Sequence, residues 1–297
     1  MKKRVVVLLS VMILSVSGCA NQAVEKETQQ QMTEQIEHSD MQVTEQHTPK
    51  AGAVTEELVE TVVSETIAAE ELEPQIEYIT IQNPSEEYYI AEETDSDTQP
   101  YTLTVVEQKQ NEIIDEEQWF EKNGVEKQFG DEAYSHEFWP YGDTQLVLHG
   151  PDKITEFDFS EFQYSSEYKK EDYDFIAQSI THTYVENNVL YVETGHWTYA
   201  ASAPKTAYIT AIDLTDYHVI WKSQPLVCNS RDFTIVGDVI FCGYGFTAED
   251  DYLYQLDKKT GIVLAKEPLK SAPDHIIYHN DMLYVRTYNT DYVFTLE

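Results

Sequence analysis

Three times in its C-terminal half the chain sets two apolar, tyrosine-rich runs around a polar pair. These are TYVENNVLYVETG about Asn187 and Asn188, FTIVGDVIFCGYG about Gly237 and Asp238, and IIYHNDMLYVRTY about Asn280 and Asp281. Asn, Gly and Asp tolerate the positive φ of a tight turn, so each run reads as a β-hairpin. A third strand ending in an acidic residue follows each hairpin: YITAIDL at Asp213, YLYQLDK at Asp257 and YVFTLE at Glu297. An earlier copy, KITEFDFSEF, puts Asp158 at the same place behind the strand TQLVLHG. The acidic positions are 55, 44 and 40 residues apart, and a period near 45 with several short strands per unit predicts β-propeller blades.

The 159 residues from Trp139 to Glu297 make about three and a half blades at this period, and the last copy stops after its third strand. YTLTVVE, Tyr101 to Glu107, alternates like a strand and is the candidate to supply the missing edge partner, closing a four-bladed ring. The alternative is an open array or sandwich-like stack with its edges covered by the Asn111–His136 segment. Within that segment, NEIIDEEQWFEKNGV predicts a short helix ended near Gly124.

The last two strands of the unit resemble the PQQ-like, or quinoprotein-like, propeller repeat, whose usual form is A-x-D-x-x-T-G-x-x-x-W. In AIDLTDYHVIW, Ala211, Asp213 and Trp221 match, while Asp216 and Tyr217 replace the Thr-Gly pair. In QLDKKTGIVLA, Asp257, Thr260 and Gly261 match, while Gln255 and Ala265 depart. Each spelling keeps the half that the other lost. The resemblance implies that Asp158, Asp213 and Asp257 with Thr260 and Gly261 shape turns, and that Trp221 packs between blades. It implies neither catalytic carboxylates nor a bound quinone, since quinone-dependent enzymes of this kind are much longer and hold the cofactor with a Cys pair and calcium ligands. Small relatives that keep only the repeats are mostly binding scaffolds. The fold class expected is therefore all-β, a small or incomplete propeller of about four blades, preceded by a disordered acidic linker and a short helical segment.

The N-terminus places this domain. Lys2, Lys3 and Arg4 precede an apolar run from Val5 to Val16 that is too short for a permanent membrane span. Val16-Ser17-Gly18-Cys19 then resembles the lipobox of bacterial lipoproteins, which implies a signal peptide over 1–18 and diacylglycerol on Cys19. Each buried CH₂ of such chains adds about 0.8 kcal/mol, so two or three acyl chains anchor stably. The expected location is extracytoplasmic, tethered to the bacterial membrane without crossing it. Residues 19–100 are read as lipidated cysteine plus linker, because Ala20–Pro100 holds 20 acidic residues against Lys26 and Lys50, and no Phe or Trp. A flexible coil of 81 residues averages roughly 50 Å end to end and would lift the folded part, 101–297, off the membrane. Part of it, Thr55–Glu73, is spaced for a marginal amphipathic helix.

Charge narrows the partners. Removing 1–18 leaves 16 basic against 54 acidic residues, a formal −38, which disfavours nucleic acid and anionic lipid as contacts of the folded part. Nucleophile, metalloprotease and phosphate-loop motifs are not written in the chain, and His275 and His279 flank a strand rather than sharing a helix face, so neither a catalytic set nor a metal site is assigned. Cys228 and Cys242 could pair outside the cytoplasm, yet Cys242 stands where sister copies carry Val192 and Val285, which favours a buried apolar cysteine. The one long insertion between second and third strands is GHWTYAASAPKTAY, Gly195–Tyr208. Blade-end loops build binding faces, so His196, Trp197 and Tyr199 are candidate ligand contacts, joined by Arg231, Tyr244 and Phe246 from nearby loops. The reading is a non-catalytic scaffold for a protein or glycan. Its alternatives are a glycan hydrolase using two loop carboxylates, and an assembly role beside a membrane machine.

Overall fold

A computed structural model describes residues 75–90, 97–138, 142–196 and 198–297. Cys19 and the helix expected over Thr55–Glu73 lie outside the described residues.

The four copies are four sheets. In the first, β4 (Ser135–Glu137), β5 (Gln145–His149) and β6 (Ile154–Asp158) form an antiparallel meander, with β1 (Ile76–Thr80) parallel to β6 on the outer edge. The second runs β7 (Ser179–Glu186), β8 (Val189–Gly195), β9 (Tyr208–Asp213) and β10 (Val219–Lys222), edged by β2 (Tyr89–Ile90). The third is β11 (Thr234–Val236), β12 (Val239–Tyr244), β13 (Tyr252–Asp257) and β14 (Val263–Pro268). The fourth is β15 (Pro273–His279), β16 (Met282–Thr287), β17 (Thr290–Leu296) and then β3 (Leu103–Gln110), reached from far earlier in the chain. The protein is all-β, an array of four propeller-type blades. Strand β3 completes the last blade as the edge partner that the sequence called for, pairing antiparallel with β17 from Leu103↔Leu296 to Gln110↔Thr290.

The turns have the chemistry that their residues predict. Asn187 and Asn188 take φ 53° and 65°, Asn280 and Asp281 take 49° and 63°, and Gly237 takes 60°. Such turns match the right-handed twist of the flanking strands. At the end of the third strand in the first three blades the acidic residue folds its carboxylate onto the following backbone. Asp158 Oδ1 accepts from Ser160 N–H (2.8 Å), Asp213 Oδ1 from Thr215 N–H (2.6 Å), and Asp257 Oδ1 from Lys259 and Thr260 N–H (2.7 and 3.0 Å). These carboxylates build turns.

Blades stack through alternate faces of the same strands. On β8, Leu190 and Val192 meet Leu146, Leu148 and Phe157 of the first blade, while Tyr191 points the other way into the third. On β12, Ile240 and Cys242 face the second blade and Val239 and Phe241 the fourth. Strands covered on both sides read as continuous apolar runs rather than as alternation, which is the character of VLYVETG and VIFCGY. Cys228 and Cys242 are buried free thiols in this packing.

The two repeat spellings meet across one blade boundary. Trp221 of the second blade lies against Gly261 of the third, close enough that a Cβ on Gly261 would collide with the indole, and Trp221 Nε1–H donates to Lys258 O at 3.1 Å. Gly261 also holds φ 70°. At the equivalent place in the second blade Tyr217 carries φ 67°, a left-handed conformation unfavourable for a bulky residue. Its ring packs edge-on against Phe157 of the first blade and its hydroxyl bonds Glu77 and Lys153.

One expectation is corrected. The linker read over 19–100 ends too late: β1 and β2 are strands of the first two blades, and Ile81 is buried among Leu146 and Phe157. Average acidity hid two short edge strands whose few apolar residues suffice once a preformed sheet receives them. Between the closed ring and the open array that the sequence left as alternatives, the buried cluster of Ile277 with Trp119 and Val125 puts the Asn111–His136 segment on the fourth blade, as the open array requires. Helix α1 (Glu116–Asn123) meets the fourth blade there, with Trp119 packed on Ile277 and beside Tyr284. It ends at Gly124 with φ 63°, as the sequence predicts, and Asp115 and Gln118 cap its start in a reciprocal box.

Truncating Trp221 to Ala should cost about 3–5 kcal/mol in urea unfolding, and Gly261→Ala at least about 2 kcal/mol from positive φ and collision. In the double variant the collision disappears, so the combined loss should fall clearly short of the sum.

Candidate functional site

The insertion of the second blade and the shorter β12–β13 loop of the third meet at one end of the array. Glu249 ties them together, accepting from Ala200 N–H through Oε1 (2.7 Å) and from the Tyr244 hydroxyl through Oε2 (2.9 Å). Above this clamp Tyr199 and Phe246 pack edge to face with centroids 5.1 Å apart; Tyr199 is 43% exposed and Phe246 half-buried. Such aromatic pairs keep their geometry at low entropic cost while leaving area for a partner.

The other sequence candidates sit elsewhere or deeper. His196 is fully buried, its backbone N–H donates to Asn229 Oδ1 (2.9 Å), and its Nδ1 accepts from Thr198 N–H (3.2 Å). Burial pushes its pKa down to about 4, so the ring is neutral. Tyr244 is buried, and burial, reinforced by the neighbouring Glu249, pushes its hydroxyl pKa up. Both stand behind the surface as supports, because the insertion folds back onto the blade. Trp197 lies outside the described residues. Arg231 belongs to another constellation, pairing with Glu116 of α1 (3.4 Å) and Asp274 (3.8 Å). Asp158, Asp213, Trp221, Asp257, Thr260 and Gly261 occupy the turns and blade boundary described above.

Sequence reasoning missed a polar seam along the first strands of the blades. The stretch Lys127–Asp131 crosses them in turn: Gln128 Nε2–H donates to Tyr278 O on β15 (2.8 Å), its Oε1 accepts from Thr234 Oγ1 on β11 (2.6 Å), and Phe129 O accepts from Val185 N–H on β7 (2.9 Å). Gly130 is required there, since any Cβ would strike Val185 O. His182 Nε2 meets Gln128 O at 2.8 Å, and burial drives its pKa to about 3, leaving a neutral ring that donates. Asp232 accepts from Ile276 N–H (2.6 Å) and pairs with His275 Nδ1 (2.6 Å), whose Nε2 lies 3.6 Å from Glu116. Burial pushes Asp232 up, but His275 and Lys127 outweigh it, and its pKa is lowered.

Glu193 is the exception within the seam. It is 0% exposed and neither carboxylate oxygen has a hydrogen bond of ordinary geometry. Burial raises its pKa to about 8, pulled back only slightly by the nearby Cys228 thiol and Thr181 hydroxyl, so it is held as a neutral acid near pH 7. No single motif marks these residues, because they come together from three blades.

Asp213, Asp216 and His218 are the one group among the described residues whose atoms could jointly approach a metal, lying within 4.8 Å of one another. Those atoms already serve the turn: Asp213 Oδ1 takes Thr215 N–H, and Asp216 Oδ1 meets His218 Nδ1 at 2.5 Å.

No family model matches the chain, and no curated protein matches it. Among solved structures it is similar to BamB from Moraxella catarrhalis at 12% identity and a TM-score of 0.30, over 52% of this chain and 53% of that one. It is similar to a europium-containing methanol dehydrogenase at 18% identity and TM-score 0.26, covering 43% of this chain and 26% of that one. A third is the computationally designed Ika4 protein, at 8% identity and TM-score 0.30, over 58% of this chain and all of that one. The chain thus spans about half the length of the BamB structure it matches. The fold assignment rests on the sheet order and register themselves.

The buried acids and histidines fix a pH dependence. The unfolded chain releases the Glu193 proton near 4.5 and the fold retains it to about 8, so this stabilisation is complete below 4.5 and drains as pH rises to 8. His182, His136 and His196, depressed from 6.5 to about 3, 4 and 4, act oppositely, costing stability as pH falls below 6.5. Urea midpoints should therefore peak near pH 6.5, and Glu193→Gln should flatten the alkaline side, where a single group contributes up to about 1.4 kcal/mol per pH unit.

Proposed function

We propose that the protein is a non-catalytic binding scaffold, lipid-anchored through Cys19 outside the cytoplasm, that recognises a protein or glycan through the loops of its second and third blades. The observation that carries this reading is the Tyr199–Phe246 pair, solvent-facing and held by Glu249 from beneath. A pair fixed by its neighbours presents aromatic area without an ordering cost on binding. The acidic residues that recur along the chain are consistent with this reading, since Asp158, Asp213 and Asp257 spend their carboxylates on turns. The sequence supports the location: basic head, apolar run and small-small-Cys, followed by an acidic stretch long enough to give reach.

Crosslinking on intact cells tests the face. Tyr199→Ala with Phe246→Ala should cut the captured partner about tenfold, equivalent to about 1.4 kcal/mol, with the urea midpoint nearly unchanged. Capture at wild-type level would overturn this assignment of the face. Detergent phase partition tests the anchor: Cys19→Ala should move the protein to the aqueous phase and abolish incorporation of labelled palmitate.

A further inference from the structure

A second aromatic surface lies beside the first, on residues that neither the repeat nor the binding face uses. The connection from β6 to β7 carries Tyr164, Tyr168, Tyr173 and Phe175, all exposed. Tyr164 and Tyr173 stack with centroids 5.1 Å apart and planes 8° from parallel, and Tyr168 leans on Tyr173 at 5.8 Å. Four exposed aromatic rings within twelve residues are costly to keep in water without a partner.

This connection is tied down at several points. Lys169 N–H donates to Ser202 O (2.9 Å), the Ser202 hydroxyl to Asp172 (2.6 Å), and Gln178 bridges back to Phe162 O (2.6 Å) and Gln163 O (2.8 Å). Lys205 clamps it to the incoming chain, pairing with Glu167 (2.8 Å) and Glu87 (2.7 Å). The rings are thus a fixed platform.

Beneath Tyr164 opens a cavity of about 340 Å³, in the size range of small-molecule sites. Its wall includes Lys205, Lys222, Tyr208, Gln178 and Glu161. Lys222 is 3% exposed, and its ammonium lies over the Tyr208 ring at 4.9 Å. It donates to Asn83 Oδ1 (2.8 Å) and Pro84 O (2.7 Å). Both acceptors are neutral, and an ammonium has three N–H groups, so these two bonds do not exhaust its donors.

The chemistry of the wall selects a class. Two lysines stand against Glu86, Glu87 and Glu161 in the same cavity, so the local charge is slightly negative in a chain of formal charge −35, which repels phosphate and other anions. Closely interleaved donors and acceptors below a flat aromatic stack suit a molecule with one apolar C–H face and a rim of hydroxyls. We infer that this cavity and the Tyr164–Tyr173 platform form a binding site for neutral saccharides, one sugar ring lying on the stack and its neighbour's hydroxyls reaching Lys222, Gln178 and Glu161. The inference rests on the binding-scaffold reading and names a ligand class for it at a site separate from Tyr199 and Phe246.

The test uses the full chain in detergent. It is applied to a panel of immobilised neutral oligosaccharides (glucans, xylans, mannans, galactans and N-acetylglucosamine oligomers) with heparin as an anionic control, and any hit is followed by calorimetric titration. Saturable binding to a neutral member is expected, weakened about tenfold or more by Tyr164→Ala and separately by Tyr173→Ala, and unchanged by Tyr288→Ala, which removes an exposed ring in the β16–β17 turn of the fourth blade. Near-ultraviolet circular dichroism from the stacked tyrosines should change on saturation in wild type and not in Tyr164→Ala. No binding across the panel, binding to heparin alone, or neutral-sugar binding that survives both tyrosine substitutions would overturn the inference. If cell-surface capture through Tyr199 and Phe246 persists in any of those cases, the scaffold reading stands without the saccharide site. If capture is lost too, both fail.

Discussion

Everything in this structure depends on one sheet hiding its face against the next. A blade of four short strands has two apolar faces and cannot bury either alone, so its neighbours are part of its own stability. Consecutive residues of β8 and β12 serve opposite neighbours, and removing one blade would expose both of the blades beside it. Trp221 against Gly261 concentrates this dependence at a single contact, where a large ring needs a residue without a side chain opposite it. This contact explains why the two repeat spellings are complementary. The tryptophan of one copy and the glycine of the next are halves of one joint, and Tyr217, where the first copy lost its glycine, packs instead on Phe157 of the first blade.

The proposed binding surface follows from the same stacking. Loops at one end of adjacent blades are brought side by side whatever their sequences, and Glu249 converts adjacency into a rigid ledge by bonding both loops. Tyr199 and Phe246 stand on that ledge, and the Tyr164–Tyr173 platform joins it through the Ser202 contacts. The polar seam does the opposite work. Gln128 and its neighbours satisfy the inner strands of three blades, while His182 and Glu193 are stripped of charge by burial and add structure rather than surface.

The candidate site was partly legible in the sequence, for local reasons. The insertion was visible because it breaks the repeat, and its exposed tyrosine does face solvent. His196 and Tyr244 were named with it because composition does not tell which side of a loop points inward. The tyrosines at 164, 168 and 173 follow a copy of the third strand and looked like connection, and only their stacking and the place of Tyr164 in the wall of the cavity that Lys222 also lines give them meaning. Lys222 itself sits one position after the repeat tryptophan, where nothing in the spacing suggests a buried ammonium over a tyrosine ring.

By itself the sequence determined the hairpins, the turn-forming Asp residues, the short helix ended by Gly124 and the candidate edge strand at Tyr101–Glu107, because each depends on backbone preferences within a few residues or on a two-residue side-chain period. Only the tertiary structure decided that Ile76–Thr80 and Tyr89–Ile90 belong to blades, that helix α1 meets the fourth blade where another blade would close a ring, and that Glu193 is held as a neutral acid. Those outcomes turn on which surfaces, far apart along the chain, compete to exclude the same water, and no local pattern records the winner.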